Sequence, residues 1–454
     1  MKSPLQSTLG RELCPPDKLG AATCLILLMS LSLGSIEAQQ AVDLQIERTG
    51  ETGMAVTWLS RPVAPLGVPV IIPSYQVFRS RDLLNWIPLS DPILGGPGVS
   101  PRALTVRDEE AEGAKAFYRI ESTVDLSGVD LNGAKLAGAD LVGANLFGAR
   151  LFLSDLRGAN FQDAELSAAD LRFSKLSGAN FSGAKLFAAR ALNAEVTGAN
   201  LQHADMRFAT FDGADLFNAD LRNADLRNTN LEASNLNFAD FRGALMNEDT
   251  VVDDKSHLVW DIVNHTAKGK DLRRQDLSAA NLMQTDFTNA DLRQANLSTS
   301  FLNGANFRGA DLTGAILNFA TLEGALLDET TQIAPRFRLI WRIVTQGAPG
   351  ENLAGTNLSN AILNGGNLQR ADLRGANMRV SFFMSTQLQG ADLSGASLQS
   401  AKMTSANMEG ANLSSADLTA ADLTSANLRN ANLTGAILVG TVFKNTILPD
   451  GTVR

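Results

Sequence analysis

The sequence predicts an all-β chain dominated by a long solenoid, and three observations carry that expectation. From Val124 to Asp450 the residues fall into a five-residue register, Ala-(Asp/Asn)-Leu-x-x, as in ADLFN ADLRN ADLRN from Ala214. The register holds 57 units, 55 of them with Leu, Phe or Met at the centre, a regularity that composition alone cannot produce. Second, an apolar residue at every fifth place drifts around a 3.6-residue helical turn, whereas in an extended chain the central residue and the Ala two places before it point the same way. Third, the last place of the unit is often Gly or Asn (Gly128, Gly133 and Gly138, then Asn218, Asn223 and Asn228), residues that accept the positive φ of a tight corner. Each unit therefore reads as a short strand followed by a corner.

Taken in order, the chain opens with Lys18 before an apolar run from Leu19 to Leu33, then Gly34, Ser35 and a small-residue site at Ile36-Glu37-Ala38. Residues 1–38 read as a secretory signal peptide cut after Ala38. The alternative is an uncleaved anchor, but the run of about 15 residues is short of the roughly 20 that a helix needs to cross a bilayer. Cys14 and Cys24 both lie in the segment removed, so the mature chain can form no disulfide and relies on packing. The expected location is the periplasm, the cell surface or the extracellular space. The net charge of −9 is unchanged by cleavage, because Lys2, Arg11 and Lys18 balance Glu12, Asp17 and Glu37. A mildly acidic product argues against direct binding of nucleic acid, which requires basic patches.

Residues 41–122 lack the register and hold strand-sized runs (AVDLQIE, MAVTWLS, SYQVFRS, ALTVRD, AFYRIES) between Gly and Pro punctuation. They predict a small antiparallel β-sandwich. Tyr75 to Ser80, Asp82 to Trp86 and Phe117 to Ile120 resemble the fibronectin type III-like modules appended to many exported bacterial proteins, which implies a spacer or cap. A cap answers a physical need, since a solenoid leaves an unpaired edge at its first coil.

The array itself resembles the pentapeptide repeat family, in three blocks over 124–248, 270–329 and 351–450. The resemblance implies a right-handed quadrilateral β-helix with four units to a coil. Residues twenty apart then stack, giving inner columns such as Leu141, Phe161, Phe181, Leu201. In the column of the undersized Ala191 the next member is the large Phe211, a compensation that keeps a core dense.

Two insertions, 249–269 and 330–350, are copies: Thr250, Leu258, Trp260, Ile262, Val263 and Gly269 align without gaps on Thr331, Leu339, Trp341, Ile343, Val344 and Gly350. Their separation is twelve units plus one insertion, which is three whole coils, so both leave from the same side. Leu258, Val259, Ile262 and Val263 lie at helical spacing and predict a short helix in each. Such helices either shield the rod or form a partner-docking patch of Leu258, Trp260, Ile262, Leu339, Trp341 and Ile343. On re-entry, Lys270 and Glu351 stand where Ala belongs. At the far end Ile437, Val442 and Ile447 occupy normally outward polar places. This apolar lip is covered either by a turn at Pro449-Asp450-Gly451 or by a second copy, the family precedent being end-to-end dimers.

The search for chemistry finds none: no catalytic residue, no cofactor site and no metal site. Asp249, Asp253 and Asp254 have no EF-hand spacing after them, and they read with Pro335 as helix capping. His203, His257 and His265 lack partners at ligand spacing. The outer Asp residues recur with an Arg two places on (Asp155/Arg157, Asp170/Arg172, Asp220/Arg222, Asp225/Arg227, Asp291/Arg293, Asp372/Arg374) and read as surface ion pairs. The expected function is an exported, non-enzymatic scaffold that contacts another protein or a cell-surface macromolecule. The alternative is a DNA-mimicking regulator of a topoisomerase, a role known in the family, which the signal peptide and the paired Arg residues oppose.

Overall fold

In the computed structural model, residues 125–454 are described throughout; of the preceding chain only the backbone of six strands is described. The expected signal peptide lies outside the described residues. Strands β1 (Ala41–Thr49), β2 (Gly53–Arg61), β3 (Ser74–Ser80), β4 (Ile87–Pro88), β5 (Ala103–Asp108) and β6 (Phe117–Thr123) fall on the runs read as strand-sized, with β4 added. They pair antiparallel in two three-stranded sheets, ordered β1-β2-β5 and β4-β3-β6. The chain divides into two compact units, 1–211 and 212–454.

In both units the array winds into coils of four five-residue units. The proof is the register of the parallel bridges: Asp125 pairs with Asn145, Asp130 with Arg150 and Lys135 with Asp155, and in the second unit Asp372 with Asp392 and Asp417 with Ile437. Each partner lies twenty residues on. The backbone at a corner closes on itself as well as on the next coil. Val129 donates its N–H to the carbonyl of Leu126 at 3.1 Å, across Gly128 at φ 64°. A turn with positive φ only at its third residue is the type II turn, and this explains the Gly and Asn found there.

Inside each coil, the central residue and the Ala two places earlier are buried, as alternation requires. In the first unit Leu141, Phe161, Phe181 and Leu201 form a closed column, with the rings of Phe161 and Phe181 stacked at 4.8 Å and within 3° of parallel. Ala191 and Phe211 are both buried, and the small side chain lies below the large one as their bridge at Arg190 and Thr210 requires. Phe287 and Phe307 repeat the ring stack in the second unit at 5.1 Å.

The corners are less ideal than the core. Phe173, Phe208, Phe238 and Phe319 occupy the corner position with φ between 56° and 62°, a region bulky side chains avoid at a cost of about 1–2 kcal/mol each. A contrast follows between ring positions. Phe161→Ala should lower unfolding free energy by about 3–5 kcal/mol, the usual cost of an emptied ring site. Phe208→Gly should change it by less than about 1 kcal/mol, because relief of the corner offsets the lost ring and the looser unfolded chain. Urea unfolding of the two variants checks this, and equal losses would refute the division between core and corner.

Candidate functional site

The two insertions are helices at equivalent places, α1 (Asp254–His265) and α2 (Pro335–Gln346). Both begin and end in one column of the coil, as the bridges Asn230 to Val251 and Asp271 to Asp291, then Asp311 to Gln332 and Asn352 to Asp372, show. The entry is built alike. Thr250 donates its hydroxyl to the carbonyl of Leu226 and Thr331 to that of Phe307, each at 2.9 Å. The N-terminus of α1 is capped by Asp253, whose carboxylate accepts from the Ser256 N–H, while α2 starts at Pro335.

The docking patch expected on these helices is corrected in part. Ile262 and Ile343 face the coils and are 1% and 0% exposed, so neither can meet a partner. The buried face of α1 is Ser256, Val259 and Ile262, and that of α2 is Phe337, Ile340 and Ile343, so the helix is turned away from the stripe through Leu258 and Val263. Two bonds set that rotation: the indole Nε1–H of Trp260 donates to Ala244 O at 2.8 Å, and that of Trp341 to Ala325 O at 2.6 Å. Leu258, Trp260, Leu339 and Trp341 are half-buried.

Sequence reasoning missed how the joints close. Asp261 of α1 pairs with Lys270, and at the aligned positions Arg342 of α2 pairs with Glu351. The charges are exchanged and the contact is kept. Those residues are the two that displace Ala on re-entry, and their opposite signs in the aligned copies were the available signal. The hydrogen bond from Lys270 holds the Asp261 carboxyl below its usual range, and that from Arg342 does the same for Glu351.

Also missed was an apolar strip in the second unit. Where the outward place normally holds Asp or Asn, three coils present Phe301, Ile362 and Phe382, and the corner residues Phe238 and Phe319 lie beside them. Together they line an open groove of about 370 Å³. Phe238 and Phe301 approach to 4.7 Å between ring centres, and Phe319 meets Phe382 edge to face at 6.0 Å. The strip forms because this corner closes directly across each joint: the N–H of Phe238 donates to Ala279 O and that of Phe319 to Asn360 O.

At the C-terminal end the chain turns back on itself. Thr446 and Arg454 exchange both backbone hydrogen bonds, at 3.1 and 3.0 Å, and Val453 bridges Ile447 antiparallel around Gly451. The hairpin reaches Ile447, while Ile437 and Val442 stay 48% and 46% exposed.

Part of the acidic surface of the long faces is charge-paired. All six expected Asp–Arg pairs form, joined by Asp205/Arg207, Asp240/Arg242 and Asp271/Arg273. The guanidinium grips both carboxylate oxygens, as in Arg157 Nε and Nη2 on Asp155 at 2.8 and 2.7 Å. That grip lowers Asp155 and Asp271 from 3.8 to about 2. Among the described residues no group of three or more His, Cys, Asp or Glu could hold a metal ion, and no helix is long and apolar enough to cross a membrane.

A solenoid of stacked four-sided coils, cored by central Leu and Phe, defines the class of protein. The pentapeptide repeats family matches residues 125–247, 271–328, 352–379 and 383–449. The chain belongs to the pentapeptide repeat family, whose members form right-handed β-helices. Among solved structures it is similar to a pentapeptide repeat protein of the Arabidopsis thaliana thylakoid lumen, 36% identical over 20% of this chain with a TM-score of 0.20; the match spans 63% of that protein. HetL, a pentapeptide repeat protein involved in heterocyst differentiation regulation in Nostoc sp. strain PCC 7120, is 22% identical over 72% of this chain and 92% of its own, with a TM-score of 0.18. QnrB1, a plasmid-mediated fluoroquinolone resistance protein, is 18% identical over 46% of this chain and 83% of its own, with a TM-score of 0.23. No curated protein matches the chain.

Two predictions follow from these charges. Arg342→Asp should weaken the second joint, and the double change Arg342→Asp with Glu351→Lys, which copies the first joint, should recover it. A coupling of about 0.5–1 kcal/mol is expected for pairs this exposed, measured as a double-mutant cycle by urea unfolding; no recovery would show the pairs to be incidental. Asp155 and Asp271 have folded pKa values of about 2 against 3.8 for an ordinary Asp. A depressed carboxyl contributes stability above its unfolded pKa, and that contribution is lost as pH falls through the folded one. Thermal midpoints should therefore fall between pH about 4 and about 2, and Arg157→Gln with Arg273→Gln should flatten that fall.

Proposed function

We propose that the chain is an exported, non-enzymatic scaffold that binds a protein partner through the apolar strip of its second unit and through the exposed lip at Ile437 and Val442. The observation that carries the reading is the contrast between surfaces. Nine of the outward Asp residues on the long faces are gripped by Arg, and such exposed pairs are worth little as binding energy. The strip instead offers contiguous aromatic and branched side chains, of the kind that anchor protein interfaces when buried. The lip also suits a second copy of the chain, giving a homodimer. Export rests on the apolar run Leu19–Leu33 and the small-residue site at Ala38, and the residues from 41 to 122 would then serve as a fibronectin type III-like cap.

A topoisomerase regulator that imitates DNA would need a continuous negative face. The nine Arg residues placed against Asp in the pairs above break such a field, so this reading is the weaker.

Cross-linking in fractionated cells tests the proposal. The chain should appear outside the cytoplasm, begin after Ala38, and form a discrete adduct that Phe301→Asp with Phe382→Asp reduces at least about tenfold, or about 1.4 kcal/mol. A full-length cytoplasmic product retaining Cys14 and Cys24 would overturn export. An adduct indifferent to the two substitutions would remove the strip as the contact, and inhibition of gyrase supercoiling by the purified chain would favour the mimic.

A further inference from the structure

The two joints are internal controls for each other, and one difference between them is a missing ring. At the first-turn position of the buried face α2 carries Phe337, whereas α1 carries Ser256; both are 8% exposed. Beneath the first turn of α1, where the ring is absent, lies a cavity of about 210 Å³. Its floor is apolar, formed by Leu236, Phe241 and Val259. Its wall differs from the filled joint in one direction: Ser234, Asn235 and Asn281 line it, and their counterparts in the second joint are Ala315, Ile316 and Ile362.

We propose that the first joint is a binding site for a phenyl-sized ring carrying a hydrogen-bonding group, seated in the place that Phe337 fills from within in the second joint. The volume of about 210 Å³ suffices for the ring, since benzene fits a space of ~150 Å³. The chemistry also fits. A ring lies against the apolar floor of Leu236, Phe241 and Val259, while the polar wall of Asn235, Asn237 and Asn281 receives the substituent. Asn237 is oriented for this, because Lys255 Nζ donates to its Oδ1 at 3.0 Å and leaves its Nδ2 to donate. Asn235 is held by its own Nδ2 bond to Asp215 at 2.9 Å. The ring belongs either to a free small phenol or to the tyrosine side chain of a protein. The site is independent of the surfaces proposed above for partner binding.

Fluorine NMR on the full chain tests the site, with 4-fluorophenol as the probe. The wild type should broaden the probe resonance saturably. Ser256→Phe, which copies the second joint, should weaken this at least about tenfold without lowering the thermal midpoint, and Phe337→Ser should add a second class of bound probe. Should Ser256→Phe fail to give the wild-type circular dichroism spectrum, Ser256→Leu fills the same space. A capped Gly-Tyr-Gly peptide carrying fluorotyrosine separates the sources: binding comparable to the phenol assigns the site to a protein side chain, and binding of the phenol alone assigns it to a small molecule. No saturable broadening by the wild type, or broadening indifferent to the filled variants, overturns the proposal.

Discussion

Every feature of the array depends on one constraint: the backbone of each coil is hydrogen-bonded by the coils on either side of it. The N–H of Leu131 donates to the carbonyl of Arg150 at 2.7 Å, and the N–H of Arg150 donates back to Val129 at 2.9 Å. Isolated bridges of this kind form no strand long enough to stand alone, so polar groups in a lone coil would go unpaired. The twenty-residue interval follows, and with it the places where Leu points in, Asp points out and the chain turns. An insertion can enter such a ladder only if it returns the chain to the same column. Both helices do, leaving after Val251 and Gln332 and returning at Asp271 and Asn352.

The same constraint governs the surface. A ladder that stacks like residues about 4.8 Å apart would pile up acids in columns, and two devices relieve this. Neutral amides form their own ladder, with Asn180 Nδ2 on Asn160 Oδ1 at 2.8 Å and Asn200 Nδ2 on Asn180 Oδ1 at 2.9 Å. Where acids do stack, Arg bridges the coils: Arg273 reaches Asp291 at 3.5 Å and Arg293 reaches Asp311 at 3.7 Å. Both devices lessen the repulsion between stacked acids.

What could be read from the sequence divides along the same line. The register named the inward residues, the corner residues and the Asp–Arg pairs, because each is local to one unit or follows from a fixed interval. The burial of Ile262 and Ile343 was not legible, since a helical stripe names an apolar side but not how the helix is turned against the coils. That rotation is set by indole bonds to Ala244 and Ala325, sixteen residues away. The apolar strip escaped for a related reason. Within its own unit Phe301 is only an apolar residue at an outward place, and direct closure of the corner across the joint is what brings Phe238 beside it. The strands before the array were legible as runs of alternating residues.

The joints show which parts of an insertion the ladder dictates and which it leaves open. The Thr hydroxyl and the Trp indole bond to backbone carbonyls, and those carbonyls are placed by the coils; both contacts are the same in the two copies. The closing ion pair keeps its position but reverses its charges, so geometry is required there and sign is not. Under the first turn neither holds. Ser256 replaces Phe337 and polar residues replace Ala315, Ile316 and Ile362, yet the helices keep the same length, the same three buried positions and the same entry. Space that a ring fills in one copy is left open in the other while the helix keeps its length, its buried positions and its contacts at both ends. A solenoid can therefore vary the content of a joint independently of its structure, and a recess at that point need not weaken the array that contains it.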